Sequence, residues 1–455
     1  MFKLSRDKGL YETMFRLMIP ICLQNVLFMM LNMCDTMMLG MLEKDAEIAI
    51  NAAGLGNQPF FIYSLFVFGI VSGSSVLISQ YWGAGDRKAI NKIAGIALSI
   101  AVTIGTVVTV VLLFFSDSVL GIFSNDKDVI VRGAEYLRIV AISYLPASMT
   151  SMLNGIMRSM EKVKVALLSN FVGIGTNIIL NYVLIFGMLG FPQMGLVGAA
   201  VATLIARILE STIVLVYVFI IEKEINLKPV PIFKCDMATI NHTVKISLPV
   251  VINETVWSTG VTVYSIVIGN MGVVEYAAYS VAYIIERVGM VLSQGMASVA
   301  AIIIGKAVGS GRKDEAYEYS GTMLFMTTFI GAVMCILIIA LRGMFVNIFN
   351  VDDITKGYAM DIMFFIGIVV LCKSYNMVSI VGVLRGGGDT RFAMFSDVLP
   401  MWLVSLPLGY LLANNTEVSV QYVYFALLFP DEFIKLILGL IRFKSKKWIK
   451  NITEM

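Results

Sequence analysis

One histidine, His242, stands in a chain of 455 residues, and five cysteines (Cys22, Cys34, Cys235, Cys335, Cys372) lie far apart with no CxxC among them. A disulfide framework, a zinc site and histidine-based catalysis have nothing to rest on. Charge is scarce as well: 14% of residues are charged and 58% apolar, with a mean hydropathy of +0.84. A water-soluble core of this length cannot bury so much apolar surface behind so few charges. No GxxxxGK[ST] occurs, so the chain carries no nucleotide-driven motor of its own. A net charge of +3 gives no ground for a nucleic-acid partner. No nucleophile–base or metal constellation is present either, and an enzyme is not expected.

What the chain has in abundance is long apolar runs. Met1 to Lys8 is charged, but the run behind it continues to about Leu42, too long for a signal peptide. Apolar stretches of at least about 18 residues mark membrane spans. Twelve are expected, over 14–42, 50–79, 90–115, 131–157, 164–187, 195–221, 239–269, 275–305, 316–341, 354–383, 392–413 and 418–441. The longest polar connection, about 222–243, holds Pro229 and Pro231 and separates an amino-terminal lobe, 1–225, from a carboxyl-terminal lobe, 226–455. With the N-terminus placed inside, the inner segments carry 23 Lys and Arg residues and the outer segments five. That imbalance predicts a multi-pass protein of the cell membrane with both termini in the cytoplasm.

The two halves are related. A shift of 226 carries Gly83, Gly85 and Gly95 onto Gly309, Gly311 and Gly321, and Ile122, Phe123 and Asp126 onto Ile348, Phe349 and Asp352. A shift of 229 carries Pro20 and Gly40 onto Pro249 and Gly269, and one of 227 carries Gly155 and Arg158 onto Gly382 and Arg385. Each half has six expected spans, an even number, so both insert the same way up about an axis along the membrane normal. Parallel bundles of this kind suit alternating access.

Ionisable groups inside spans are costly and usually face protein, water or a partner. Asp35 is the sole charge between Leu17 and Leu42, and Asn25, Asn32, Asp35 and Thr36 share one helical face. Asn170, Asn177 and Asn181 share a face of span 5, and Thr203, Arg207 and Glu210 one of span 6. Counting from the span ends at 1.5 Å per residue puts Asp35, Asn181 and Thr203 all roughly 10 Å below the outer surface. A carboxylate with amide and hydroxyl oxygens at one level is suitable chemistry for a proton or Na⁺. In the second half, Glu254 lies near the midplane just past Pro249. Tyr276, Tyr279, Tyr283, Glu286, Arg287, Met290 and Gln294 form a stripe on span 8 that could line a cavity for flat cations. Arg287 could equally neutralise Glu254 or Glu286. Lys373, Asn376, Asp361, Asp397 and the Asp431-Glu432…Lys435 cluster are weaker candidates for a relay, and Asp431 with Lys435 reads as an internal pair.

Several segments resemble one family. Span 1 ends in DTMMLG, the second connection reads SQYWGAGDRKAINK, and span 5 reads NIILNYVLIFG before GLVGAAVATLIAR. GVLRGGGDTRF and the tail RFKSKKWIKN complete the series. In this order and spacing the chain resembles the multidrug and toxic compound extrusion (MATE) transporters over its whole length. The resemblance implies an all-α polytopic membrane protein, with twelve transmembrane helices in two pseudo-twofold-related six-helix lobes arranged as a V. It implies export of cationic and amphipathic small molecules against inward H⁺ or Na⁺, by a protein expected to be a monomer without a cofactor. One branch of the family has a cation site whose matching positions here are Asp35, Asn177, Asn181 and Thr203, a possible Na⁺ site. That branch has a carboxylate where this chain has Asn181, and the missing charge favours a proton or an ion site moved toward Glu254. Members with a carboxyl-terminal site use a glutamate that Glu254 resembles and an aspartate whose neighbourhood holds Lys373 and Asn376. A rival expectation within the wider superfamily is a lipid-linked precursor flippase, which requires a strongly basic cavity.

Overall fold

A computed structural model describes residues 4–42, 46–223, 225–349, 351–414 and 418–454, apart from the side chains of 31–33. About 85% of the chain is helical, and no strand occurs among the described residues. The helices are α1 (Lys8–Gly40), α2 (Ala46–Ala84), α3 (Arg87–Leu120), α4 (Lys127–Ala141), α5 (Tyr144–Ser159), α6 (Lys164–Phe186) and α7 (Gly195–Val216). There follow α8 (Met237–Gly269), α9 (Val273–Gly309), α10 (Lys313–Val346), α11 (Asp353–Met377), α12 (Thr390–Pro400), α13 (Leu406–Ala413) and α14 (Val420–Lys444). Wide π turns prolong α7 over Tyr217–Ile221 and α11 over Val378–Leu384, and Met401–Ser405 joins α12 to α13.

Each expected span falls on one helix or on a helix with its continuation. Nine of these, among the described residues, are long and apolar enough to cross a membrane, and α4 with α5, bent by 49°, makes a tenth. The remaining two, α8 and α14, carry polar groups at mid-length, Asn253 with Glu254 and Asp431, Glu432 and Lys435. Polar insertions of that kind are tolerated at membrane depth when neighbouring helices satisfy them.

The chain divides into two units. One comprises Met1–Cys22, Ser79–Asp86 and Ile246–Met455; the other comprises Leu23–Ile78 and Arg87–Lys245. In the second, amino-terminal unit the connection after α7 lies along α3. The Val230 amide donates to the Asn91 carbonyl (3.0 Å) and the Lys228 amide to the Asn91 side chain (2.9 Å). Lys92, 2.7 Å from Asp236, combines with Thr239 to hold that exposed carboxyl well below the usual carboxylate range.

The repeated residues have physical reasons. Asp126 caps α4 by accepting from the Asp128 and Val129 amides, and its counterpart Asp352 caps α11 by accepting from Thr355. Both satisfy orphan donors at a helix start. Gly85 and Gly311 take left-handed φ of 75° and 77° in the turns after α2 and α9, where a side chain would be strained. Gly83 packs on the Lys306 carbonyl and Gly309 on the Gln80 carbonyl, where a Cβ would lie 2.0 and 1.9 Å from oxygen. Gln80 and Lys306 are themselves 226 apart, so the two helix ends cross symmetrically through small residues, as membrane helices do when backbones approach closely.

The tail closes over this crossing. Gln80 is fully buried, donates to the Gly386 (3.0 Å) and Lys450 (3.3 Å) carbonyls, and accepts from the Ile452 amide (3.0 Å). Asp389 pairs with Arg442 and Lys450, each at 2.6 Å, and buried Trp448 fills the space over Gly387. A Gly309→Ala substitution should therefore abolish well-folded protein, whereas Gly175→Ala, with nothing within 4 Å of its Cβ, should be neutral or stabilising by up to about 1 kcal/mol. Size-exclusion profiles and melting curves of the detergent-extracted variants read both.

Candidate functional site

In the amino-terminal unit α6 and α7 meet without a gap because Gly198 lies against the Leu184 carbonyl, where a Cβ would be 2.8 Å from oxygen. That approach brings the asparagine face of α6 onto Thr203. Asn177 Nδ2 donates to Thr203 Oγ1 (3.3 Å), Asn181 Nδ2 to Asn177 Oδ1 (2.9 Å), and Asn181 Nδ2 also to Asp35 Oδ1 (2.6 Å). A single polar chain thus runs from α1 through α6 to α7. Asn177 and Asn181 are buried and Asp35 is half-buried. No basic side chain forms an ion pair with Asp35 among the described residues; its close partner is an amide.

Asp35, Asn177 and Thr203 border a cavity of about 740 Å³ that also touches Gln24, Asn57, Tyr136, Asn170, Arg207 and Glu210. Arg207 Nη1 donates to Glu210 Oε2 (3.1 Å), and its guanidinium lies 5.7 Å from the centre of the Phe60 ring. Tyr136 donates to Asn57 (3.3 Å). Asn32 lies outside the described side chains, and Asn181 stands behind the cavity wall. Gln24, Asn57, Phe60 and Tyr136 escape the span-by-span reading, because no periodicity says which helix faces meet.

The carboxyl-terminal unit has a smaller cavity of about 470 Å³ bordered by Glu254, Trp257, Lys373, Asn376, Arg385, Asp397, Glu432 and Lys435. Here the carboxylates meet cations. Arg385 Nη1 donates to Glu254 (2.6 Å), and Lys435 lies 2.9 Å from both Asp397 and Asp431. Lys373 and Tyr424 donate to Glu286. Glu432 differs: it accepts from the Asn376 amide at 2.8 Å and forms no ion pair among the described residues. Of the weaker relay candidates, Lys373, Asn376, Asp397, Asp431, Glu432 and Lys435 come together, while Asp361 is exposed elsewhere.

The expected partner of Glu254 or Glu286 was Arg287, but Arg385 and Lys373 take those places. Position 287 is turned about 100° from 286 on α9, and Arg287 sits instead 5.9 Å over the Tyr283 ring. Arg385 comes from the end of the π turn after α11, which the hydropathy reading left in a connection; its repeat relation to Arg158 was the available signal. Only part of the tyrosine stripe packs inward, and Tyr276 is exposed. Tyr279 stacks on Tyr283 (5.7 Å) and contacts Tyr424 (5.9 Å) and Ser265, and Met290 belongs to the core. Gln294 is exposed, and none of Tyr279, Tyr283, Glu286, Arg287, Met290 or Gln294 borders this cavity.

Buried carboxylates held by amides and cations on long apolar helices are the polar interior of a membrane protein, and the family it matches is one of transporters, not enzymes. The family model described as MatE matches residues 20–183 and again residues 249–411, and the chain belongs to that family, the MATE transporters. It is similar to a probable multidrug resistance protein NorM of Thermotoga maritima, at 26% identity over 96% of this chain and 93% of that one. It is 25% identical to the Bacillus subtilis transporter YisQ over 96% of this chain and 95% of the other. Among solved structures, a MOP-superfamily transporter from Pyrococcus furiosus superposes with a TM-score of 0.85 at 19% identity, covering 98% of this chain and 99% of that one. A MATE structure in a bent conformation gives 0.86 at 19% identity over 98% and 99%. The fold is shared at that distance.

Removing one partner of a buried ion pair leaves an uncompensated charge, at a penalty of about 3–5 kcal/mol. Lys435→Met, which strands Asp397 and Asp431 together, should lower the melting temperature sharply, and Lys435→Met with Asp397→Asn should recover part of the loss. Thermal melts of the three proteins check this.

Proposed function

We propose that the chain is a secondary active multidrug exporter that moves cationic and amphipathic compounds outward against an inward H⁺ or Na⁺ gradient by alternating access. The observation that carries the reading is Asp35, a carboxylate at the wall of a cavity, whose close partner is the Asn181 amide and not a cation. A carboxylate so placed can accept a proton, a metal cation or a substrate ammonium in turn. The names of the NorM relatives support the multidrug class. The count of Lys and Arg supports cytoplasmic termini in the cell membrane. The protein acts as a monomer with no cofactor beyond the coupling ion.

In this mechanism the substrate occupies the amino-terminal cavity with its cationic centre at Asp35. Loading of the carboxylate from outside removes that attraction and rearranges the hydrogen bonds through Asn181, Asn177 and Thr203. Each species shifts the balance of inward and outward states by its own preference, and the coupling is reciprocal. Asn181 in place of a second carboxylate favours a proton over Na⁺, because Na⁺ gains from an added negative oxygen. Glu254, already paired with Arg385, is the secondary candidate for ion binding. The flippase alternative loses ground, since Arg385, Lys373 and Lys435 at the carboxyl-terminal cavity all have carboxylate partners.

Inverted membrane vesicles energised by a pH gradient should accumulate ethidium, and Asp35→Asn should reduce the gradient-driven component within the roughly 5–150-fold range of ordinary coupling energies. Undiminished transport by that variant overturns the assignment. Asn181→Asp should make transport respond to a sodium gradient; a response to pH alone in both proteins would remove the role given to this position.

A further inference from the structure

Two helices of the carboxyl-terminal unit that pack on each other, α12 and α14, carry the same surface pattern. On α14 the exposed apolar residues Phe433, Ile437 and Ile441 stand four apart, and exposed Lys444 follows one turn on along the same face. On α12 and its continuation the exposed Leu403, Leu399 and Phe395 stand four apart, and exposed Arg391 completes the row. From Phe433 to Lys444 is about 16 Å along the helix, close to the ~15 Å of hydrocarbon in one leaflet. Each row is apolar above and basic at its foot. The two feet are joined: Asp389, just before α12, pairs with Arg442 of α14 at 2.6 Å, and the same guanidinium lies 4.5 Å from the centre of the Phe392 ring. Asp389 also takes Lys450 at 2.6 Å, so Arg442 and Lys450 are engaged. Their neighbours Arg391, Lys444 and Lys447 are exposed and form no ion pair among the described residues. Nor does the chain trail away here. Lys446 takes a left-handed φ of 55° with its ammonium 4.4 Å from the centre of the Tyr317 ring. Trp448 is fully buried, and its indole donates to the Phe443 carbonyl (3.2 Å). The backbone of Lys444 and Lys447, on either side of that turn, is therefore fixed.

We propose that this end of α12 and α14 binds an anionic phospholipid, with the headgroup phosphate at Arg391, Lys444 and Lys447 and the acyl chains along the two apolar rows. The chemistry selects the occupant. The rows take the acyl chains of any lipid, but three unpartnered cations at headgroup depth gain from a headgroup only when it carries net negative charge. Basic residues just beyond a membrane helix raise the affinity for acidic lipid by about fivefold each. Here the turn at Lys446 and the buried Trp448 have already ordered the segment, so little chain entropy opposes binding. A soluble anion has no tails to lie on the rows. The bound lipid also braces the segment whose Lys450 and Ile452 backbone holds Gln80. The inference is independent of the substrate and coupling ion proposed above.

The test uses the full chain purified in detergent and two lipids with the same acyl chains, dioleoyl phosphatidylglycerol and dioleoyl phosphatidylcholine. Native mass spectrometry reads the bound lipid. The wild type should bind phosphatidylglycerol at least about tenfold more tightly. A variant with Arg391→Gln, Lys444→Gln and Lys447→Gln should lose that preference. Because these side chains are exposed and form no ion pair, it should melt like the wild type in detergent alone. A second variant, with Arg87→Gln, Lys223→Gln and Lys234→Gln, removes the same charge from exposed positions of the amino-terminal unit and should keep the preference. Equal binding of the two lipids by the wild type overturns the proposal. So does an equal loss in both variants, because the attraction then belongs to net charge and not to this site. Displacement of phosphatidylglycerol by millimolar inorganic phosphate overturns it as well, since the site then takes a free anion. Should the first variant melt early, Lys444→Gln alone is read in its place, with an expected loss of about fivefold, and no loss there overturns the proposal.

Discussion

A carboxylate far from water needs a partner, and the choice of partner decides what it can do. Asp35 is met by the Asn181 amide at 2.6 Å, whereas Glu254, Asp397 and Asp431 are met by guanidinium or ammonium groups at 2.6–2.9 Å. An amide hydrogen bond steadies an oxygen without cancelling its charge, so attraction for a mobile cation survives. A fixed ammonium cancels it, and the pair becomes part of the scaffold. The remaining architecture of the amino-terminal unit can be understood as the means of holding one uncancelled carboxylate at the edge of a cavity.

That holding is done by backbone contacts. Gly198 against Leu184 lets α6 and α7 touch, and only then can Asn177 reach Thr203 and pass its orientation through Asn181 to Asp35. In the other unit a symmetric pair of glycine contacts, Gly83 on Lys306 and Gly309 on Gln80, does comparable work at the basic helix ends. The tail then caps the buried Gln80 from the Lys450 and Ile452 backbone and packs Trp448 over Gly387. Small residues recur in these places because membrane helices gain little from apolar burial and depend on close packing and satisfied polar groups.

The two halves, each matched by the same family model, differ in electrostatics. Position 35 is aspartate in the first half and tyrosine, Tyr264, in the second, while position 25 is asparagine and its counterpart Glu254 is acidic. Around its cavity the second half pairs Glu254, Asp397 and Asp431 with cations, while an asparagine amide holds Glu432. At its cavity the first half keeps Asp35 without an ion pair beside an arginine–glutamate pair of unequal exposure. A duplicated scaffold can thus carry an exchangeable site in one copy and a rigid polar core in the other.

Hydropathy by itself located the helical segments, nine or ten of which are long and apolar enough to cross a membrane among the described residues, because water exclusion acts on each segment separately and needs no partner to be read. The repeat offsets found Asp126 with Asp352 and Gly85 with Gly311, since capping and left-handed turns are local demands on single residues. The grouping of Asp35, Asn177, Asn181 and Thr203 was also legible, from depth and helical facing and from the family resemblance. Only the tertiary structure decided who pairs with whom. Arg385 rather than Arg287 reaches Glu254, Lys373 reaches Glu286, and Tyr279 and Met290 of the stripe turn into the core. Those outcomes depend on helix rotation, on a π turn that shifts register by a residue, and on the backbone distances that glycine permits, and none of these is a property of one segment alone.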